Sequence, residues 1–113
     1  MNIVKTNVTD KKTLFKLTHA QQSSKMSDLE GQCFKVGAYC FYEEDQDEET
    51  GKPGSPVFAC IVDEKVYATI SRPFIASVAE IVETFENSDE EWAVKVCGGD
   101  TKGGRHFIYA SVD

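Results

Sequence analysis

Two short apolar segments joined by a dipeptide constrain the fold of this chain more than any other feature of its sequence. They read "VFACIV" (Val57–Val62) and "KVYATIS" (Lys65–Ser71), with Asp63-Glu64 between them. Both are rich in β-branched and aromatic residues and are bounded by turn-forming residues, which is typical of β-strands. The sequence therefore predicts a β-hairpin centred on the dipeptide.

The pairing of this hairpin divides its side chains between two faces. A register shift of two residues would leave the division unchanged, because successive side chains alternate between the faces of a strand. One face is wholly aliphatic and contains Val57, Ala59, Ile61, Val66, Ala68 and Ile70. We expect this face in the core, and the opposite face, which carries Phe58 and Tyr67, to be available to a ligand.

A helix is predicted directly after the hairpin, over "SRPFIASVAEIVETFEN". Ser71 is a suitable N-cap, and Pro73 fits the first turn. An apolar stripe recurs at helical spacing and consists of Ile75, Val78, Val82 and Phe85. We expect this stripe to face the core and the helix to end near Asn87.

Four further segments have strand character. They are Thr13–His19, Cys33–Tyr42, Glu91–Cys97 and Arg105–Val112. In the last strand, alternation places Phe107 and Tyr109 opposite Ile108 and Ala110. We expect Trp92 to be a core residue.

The segment "CGGDTKGGRHF", residues 97–107, raises the question of a phosphate-binding loop. A Walker loop requires G-x-x-x-x-G-K-[ST] at the start of a helix. Here Gly104 stands where the lysine should be, and a strand follows instead of a helix. The segment is therefore expected to be a wide turn between two strands, with Lys102 and Arg105 as candidate phosphate contacts.

The order of the elements indicates the architecture. Three strands, a helix and two strands is the order of the OB-fold, a five-stranded Greek-key barrel. We expect a mainly β, OB-fold-like antiparallel barrel spanning residues 1–113 as a single domain. The helix would lie between strands 3 and 4, and Thr13–His19 would be an extra N-terminal strand. OB-folds bind nucleic acid across strands 2 and 3, between two loops that correspond here to residues 43–56 and the glycine segment.

The charge of the chain limits its possible partners. Its net charge of −7 argues against a protein that coats duplex DNA by charge alone. The acid is concentrated in "EEDQDEE" (Glu43–Glu49) and "ENSDEE" (Glu86–Glu91). Such runs are usually solvated loops.

The cysteines and histidines lack the spacing of a metal site. Cys33, Cys40, Cys60 and Cys97 contain no C-x-x-C pair, and the two histidines, His19 and His106, are far apart in sequence. We expect reduced, buried, structural thiols. We also expect no metal and no cofactor, and no catalytic constellation is legible. The first residues lack an apolar signal segment, so the protein is expected to be cytosolic.

Three stretches carry a resemblance to a known family. They are "NIVK" near the start, "VFACIVDEKVYATIS" followed by "RPFIASVAEIV", and "VKV" with "TKGGRHF" near the end. In their order and spacing, they resemble the small single-stranded DNA-binding proteins of phages that copy linear genomes by protein priming. The resemblance implies a non-enzymatic protein that coats and protects displaced strands in the cytoplasm of an infected bacterial host. It also suggests the phage replication machinery as a partner.

In that family tyrosines stack on bases, and the resemblance points to Tyr42 and Tyr67. Alternation places Tyr67 away from the aliphatic face. Tyr42 would face outward only if a bulge at Gly37 reversed the parity of its strand, so that Tyr39 and Phe41 faced the core. Otherwise it packs inward and binds nothing.

Phe58 is open to two interpretations: it binds DNA, or it packs beneath the extra strand. Lys95 is a further phosphate candidate. A family tyrosine in the loop after the first barrel strand has no counterpart in "EEDQDEETGKPG". The alternative function is an acidic module that binds a basic protein or imitates DNA.

Overall fold

The computed structural model describes residues 2–19, 23–45, 49–51, 54–86 and 88–112. Its strands are β1 (Asn2–Thr6), β2 (Ser24–Lys25), β3 (Cys33–Phe34), β4 (Tyr39–Glu43), β5 (Pro56–Val62), β6 (Lys65–Thr69), β7 (Val94–Asp100) and β8 (His106–Val112). The helices are α1 (Lys11–Leu17), a 3₁₀ helix (Met26–Leu29) and α2 (Arg72–Phe85). The fold is mainly β, as the sequence predicts.

The strands form two sheets instead of one closed barrel. The larger has the order β1-β4-β5-β6-β2, and the smaller has the order β3-β7-β8. All the pairs are antiparallel except β2 with β6. Within the described residues, β6 does not pair with β8. A groove of about 580 Å³ lies between them, lined by residues that include Lys25, Ile70 and Phe107.

The strand predicted over Cys33–Tyr42 is broken into β3 and β4, and each part belongs to a different sheet. Asn7 bridges the break, because its side-chain amide donates to Gly37 O and its carbonyl oxygen accepts from Tyr39 N. The parity reversal expected at Gly37 is present: Phe34, Tyr39 and Phe41 all join one core cluster. It arises from this break, not from a bulge within a continuous strand.

The expected strand over Thr13–His19 is wrong, because this segment forms α1. Asp10 caps the helix, with its carboxylate accepting from Thr13 N at 2.9 Å and from Thr13 Oγ1 at 2.7 Å. The same two hydrogen bonds lower the pKa of Asp10. Capping of this kind satisfies a backbone donor that would otherwise lack a partner. The extra N-terminal strand is instead β1, which pairs with β4.

The predicted central hairpin is confirmed. Val62 pairs with Lys65 across a two-residue turn. Asp63 and Glu64 have φ values of 50° and 66°, and positive φ at both central residues is what a type I′ turn requires.

The predicted helix α2 is also confirmed, with Ser71 as N-cap and Pro73 in its first turn. It ends at Phe85, and Asn87 lies outside the described residues. Two serines of this region form hydrogen bonds with backbone groups at the edge of β8 that does not pair with β7. Ser77 Oγ accepts from Ala110 N at 2.8 Å, and Ser71 Oγ donates to Ile108 O at 3.2 Å.

Both faces of the central hairpin are covered, which corrects the expected division into a core face and a ligand face. The aromatic face, with Phe58 and Cys60, joins the larger core between the sheets and α2. The aliphatic face, with Val57 and Ala59, forms a second cluster that includes Leu17 of α1. Ala59 and Ala68 pair directly, and their small side chains permit the close approach of α1.

Candidate nucleic-acid interface

The glycine segment is partly strand and partly turn. Gly98 and Gly99 lie within β7, opposite Ile108 and Phe107. The turn covers residues 101–105 and is closed by a hydrogen bond from Thr101 N to Arg105 O at 2.8 Å. Gly104 adopts a φ of +82°, which favours glycine because it lacks a Cβ. The prediction of a turn between two strands is confirmed, but the turn is tighter than expected.

The basic side chains of this turn are exposed. Lys102 and Arg105 are both solvent-accessible. Among the described residues, neither forms a salt bridge. The structure thus places two cations at the tip of the β7–β8 hairpin, beside a backbone without side chains at positions 103 and 104.

The β7–β8 hairpin has one face in the core and one face in solvent. We use the term outer face for the solvent side, whose cross-strand pairs are Lys95–Ser111, Cys97–Tyr109 and Gly99–Phe107. Lys95 is exposed, and Tyr109 is 38% exposed. The centroids of the Phe107 and Tyr109 rings are 6.0 Å apart. An aromatic pair, with Tyr109 exposed and Phe107 half-buried, therefore lies next to the basic turn.

Gly99 determines how Phe107 lies on the outer face. A Cβ at position 99 would stand 2.9 Å from Phe107 Cζ. Real Cβ atoms do not approach an aromatic carbon so closely. The missing side chain therefore allows the Phe107 ring to rest against the backbone of β7.

The opposite face of the same hairpin tip carries a histidine between two carboxylates. His106 Nε2 contacts Glu30 Oε1, and His106 Nδ1 lies 3.0 Å from Asp100 Oδ1. Glu30 first, and Asp100 second, raise the pKa of His106 because they stabilise its charged form. A Cβ at Gly98 would collide with the Glu30 carboxylate. The acidic groups nearest to the basic turn are thus engaged on the other face.

The central hairpin gives its candidate residues different surroundings. Phe58 is 0% exposed and packs against Phe41, with ring centroids 4.8 Å apart. A binding role for Phe58 would require an exposed ring, and this ring is buried. Tyr67 is half-buried at the margin of the larger core, with Lys65 Nζ 5.6 Å from its ring centroid.

Tyr42 points away from the larger core, as the parity argument expects, but it is not in solvent. It is 3% exposed and belongs to the second cluster with Leu17. The cause is α1, which covers this face of the sheet in place of the strand predicted from the sequence.

The two acidic runs lie outside both the central hairpin and the β7–β8 hairpin. Glu86 accepts from Tyr39 Oη at 2.8 Å and pairs with Lys5 at 2.6 Å. The hydrogen bond from Lys5, and then that from Tyr39, lower the pKa of Glu86. Burial and the Glu86 carboxylate raise the pKa of Tyr39. Residues 46–48 of the run Glu43–Glu49 lie outside the described residues.

The four cysteines are free thiols with unequal exposure. Cys40 and Cys60 are buried, and burial raises the pKa of Cys60 to about 12. Cys97 is partly exposed and Cys33 is exposed, so the expectation of burial is wrong for Cys33. Its pairing opposite Lys95 in β7 places it on the solvent side.

Two further observations concern metals and membranes. In the described ranges, no group of three or more His, Cys, Asp or Glu side chains is arranged to hold a metal ion. No helix among the described residues has the length and apolar character needed to cross a membrane.

Sequence reasoning overlooked Phe107 and Tyr109 as candidates. Alternation correctly predicted that they share a face opposite Ile108 and Ala110. The signal that could have identified them was their position directly after a basic turn, on the aromatic face of a strand whose other face is aliphatic.

A cationic hairpin that carries an exposed tyrosine on a small, mainly β domain is typical of the surface of nucleic-acid-binding modules. Comparison with known families makes the assignment specific. The model of the phi29 phage single-stranded DNA-binding protein family matches residues 1–113. The chain therefore belongs to this family of non-enzymatic proteins, which bind single-stranded DNA in phage replication. No curated protein and no solved structure matches the chain.

Proposed function

We propose that residues 1–113 act as one domain that coats and protects the single strands displaced during phage DNA replication. Bases stack on Tyr67, and Lys95, Lys102 and Arg105 contact phosphates. The protein works in the cytoplasm of the infected bacterial host, beside the phage replication machinery. The observation that carries this proposal is the family match over the whole chain.

The basic turn supports the assignment of phosphate contacts. Lys102 and Arg105 have no competing carboxylate partner among the described residues. The glycines at 103 and 104 leave the backbone open to close approach by an anion. A phosphate oxygen accepts from both side-chain and backbone N–H groups without regard to base sequence.

The surroundings of Tyr67 support a stacking role. Its ring is partly exposed, and Lys65 Nζ lies over it. The Lys65 ammonium group could leave the ring and bind a phosphate instead. Tyr42 and Phe58 are excluded from the proposed site, because a base could reach them only after α1 or the core had opened.

The negative net charge is compatible with this function. Stacking contributes about 1–3 kcal/mol per base and does not depend on net charge. With three phosphate contacts, the slope of log K against log salt should be about −2, since each contact on a single strand contributes about 0.7.

The test is a titration of the full chain with oligo-dT and with duplex DNA, followed by intrinsic fluorescence. We expect saturable quenching by oligo-dT and a much weaker response to the duplex. A protein that responds to neither would not be a single-stranded DNA-binding protein. That outcome would favour the alternative, an acidic module that binds a basic protein partner.

A further inference from the structure

We infer that the outer face of the β7–β8 hairpin is a second stacking surface for single-stranded DNA, formed by Phe107 and Tyr109. The inference rests on the proposed function and adds residues to its site. It concerns a face that lies outside the central hairpin and its tyrosine.

The two rings are spaced like neighbouring platforms along one strand. Phe107 and Tyr109 are two residues apart on β8, so both project from the same face. Their centroids lie 6.0 Å apart, and their planes differ by 37°. Tyr109 is exposed and Phe107 is half-buried, so Tyr109 offers the larger accessible surface. Every base has a π face on which it can stack.

Strand β7 lies beneath the two rings and holds that of Phe107 against its backbone. Phe107 rests against Gly99, and Tyr109 lies directly opposite Cys97, which has a small side chain. The Phe107 ring is therefore supported from below by β7. A platform that is already ordered loses less conformational entropy when a base stacks on it.

The charges around the rings match a nucleic-acid backbone. Lys95 lies diagonally from Tyr109, and the turn with Lys102 and Arg105 adjoins the other end of the pair. The carboxylates of Glu30 and Asp100 contact His106 on the opposite face. Cations thus flank the two rings at both ends, and these two carboxylates are engaged by His106. This complementarity identifies single-stranded nucleic acid as the occupant.

The first test compares oligo-dT affinity for three single variants and the parent protein. Tyr109→Ala should weaken binding about five- to 150-fold, the equivalent of one stacked base. Tyr109→Phe keeps the ring and should bind within about twofold of the parent. Phe15→Ala is the matched control, because Phe15 is an exposed ring, 58% accessible, on a different element, α1. It should bind as the parent does.

A second measurement uses the native protein and so does not depend on the folding of a variant. Cys97 lies directly across from Tyr109 and is partly exposed. Saturating oligo-dT should slow its alkylation several-fold, as read by peptide mass spectrometry. Duplex DNA at the same concentration should leave the alkylation rate unchanged.

The outcomes separate this inference from the proposed function. If oligo-dT does not quench the parent protein, the proposed function fails and the inference fails with it. If the parent binds but Tyr109→Ala binds equally well and Cys97 is alkylated at the same rate with DNA, only the inference is overturned. If Tyr109→Ala does not fold, the alkylation of Cys97 in the native protein tests the inference. Slower alkylation with oligo-dT supports it, and an unchanged rate overturns it.

Discussion

The adjacent strands β4 and β5 and the β7–β8 hairpin each carry an aromatic pair, but in opposite surroundings. Phe41 and Phe58 lie 4.8 Å apart, and they are 8% and 0% exposed. Phe107 and Tyr109 lie 6.0 Å apart, and Tyr109 is 38% exposed. The first pair faces α2, whose Phe74 packs 6.0 Å from Phe58, whereas the second faces solvent. The coverage by another element, not the aromatic content, decides whether a ring stabilises the fold or is open to a ligand.

The same contrast extends to the thiols and the charges. Cys40 and Cys60 are buried in the larger sheet, whereas Cys33 and Cys97 are accessible on the smaller sheet. The basic side chains Lys95, Lys102 and Arg105 all belong to the β7–β8 hairpin. The smaller sheet therefore combines the features of a binding surface, and the larger sheet supplies most of the core.

The largest expected effect comes from the buried side of this comparison. Phe58→Ala should lower the free energy of unfolding by about 3–5 kcal/mol, since it leaves a cavity in the core. Urea unfolding followed by circular dichroism measures the change. A loss of stability near zero together with a large loss of DNA affinity would show that Phe58 is a binding residue after all.

Tyr67 stands between the two regions, because it is half-buried and also proposed to stack. Tyr67→Leu keeps an apolar group at the core margin and removes the ring. We expect binding of oligo-dT to weaken by about 1–3 kcal/mol while the thermal transition persists. Unchanged affinity with a lower melting temperature would assign Tyr67 to packing alone.

Removal of the basic turn's charge should have a smaller, sequence-independent effect. The double variant Lys102→Ala, Arg105→Ala should reduce the magnitude of the salt slope by about 1.4, because each lost phosphate contact removes about 0.7. All single-stranded sequences should be affected equally.

The matched control for the turn is Lys11→Ala, Lys12→Ala, which removes two exposed charges from α1. This variant should keep nearly the parent slope. Equal slopes for the parent and the turn variant would show that the turn never contacts the DNA backbone.

The smallest expected effect is the pH dependence of stability caused by His106, at the tip of the β7–β8 hairpin and opposite its outer face. Glu30 and Asp100 raise the pKa of His106 above its value in the unfolded chain. The charged histidine therefore contributes stability that is fully present below its unfolded pKa of about 6.5 and is lost as pH rises through the higher folded value. Melting temperatures measured across this range should fall less in His106→Gln than in the parent. A parallel decline in both proteins would show that His106 is not the group responsible.

The sequence predicted the parts of the fold that depend on local chemistry. The hairpin turn at Asp63-Glu64 and the cap and stripe of α2 are set by residues close in the chain. The segment after Asp10 was misjudged because seven residues with Leu14, Phe15 and Leu17 satisfy a strand pattern as well as a helical one. The N-cap formed by Asp10 favours the helix over the strand.

The parts that depend on distant contacts were not predictable in the same way. Alternation grouped Phe58 with Cys60 and Phe107 with Tyr109 correctly, but it contains no information on which face another element covers. The burial of Tyr42 depends on α1, and the exposure of Tyr109 depends on the placement of α2 against the other face of β8. The exposure of Lys95, Lys102 and Arg105 agreed with their polarity.

The most direct test of the central claim is to map DNA contacts by backbone amide chemical shifts during a titration of the full chain with oligo-dT. The account predicts that the largest changes lie on the β7–β8 hairpin, at residues 95–97 and 101–109. The amides of β4 and β5, at residues 39–43 and 57–62, should change little. The opposite pattern, with the largest changes in β4 and β5, would contradict the account and place the DNA on the buried strands of the larger sheet.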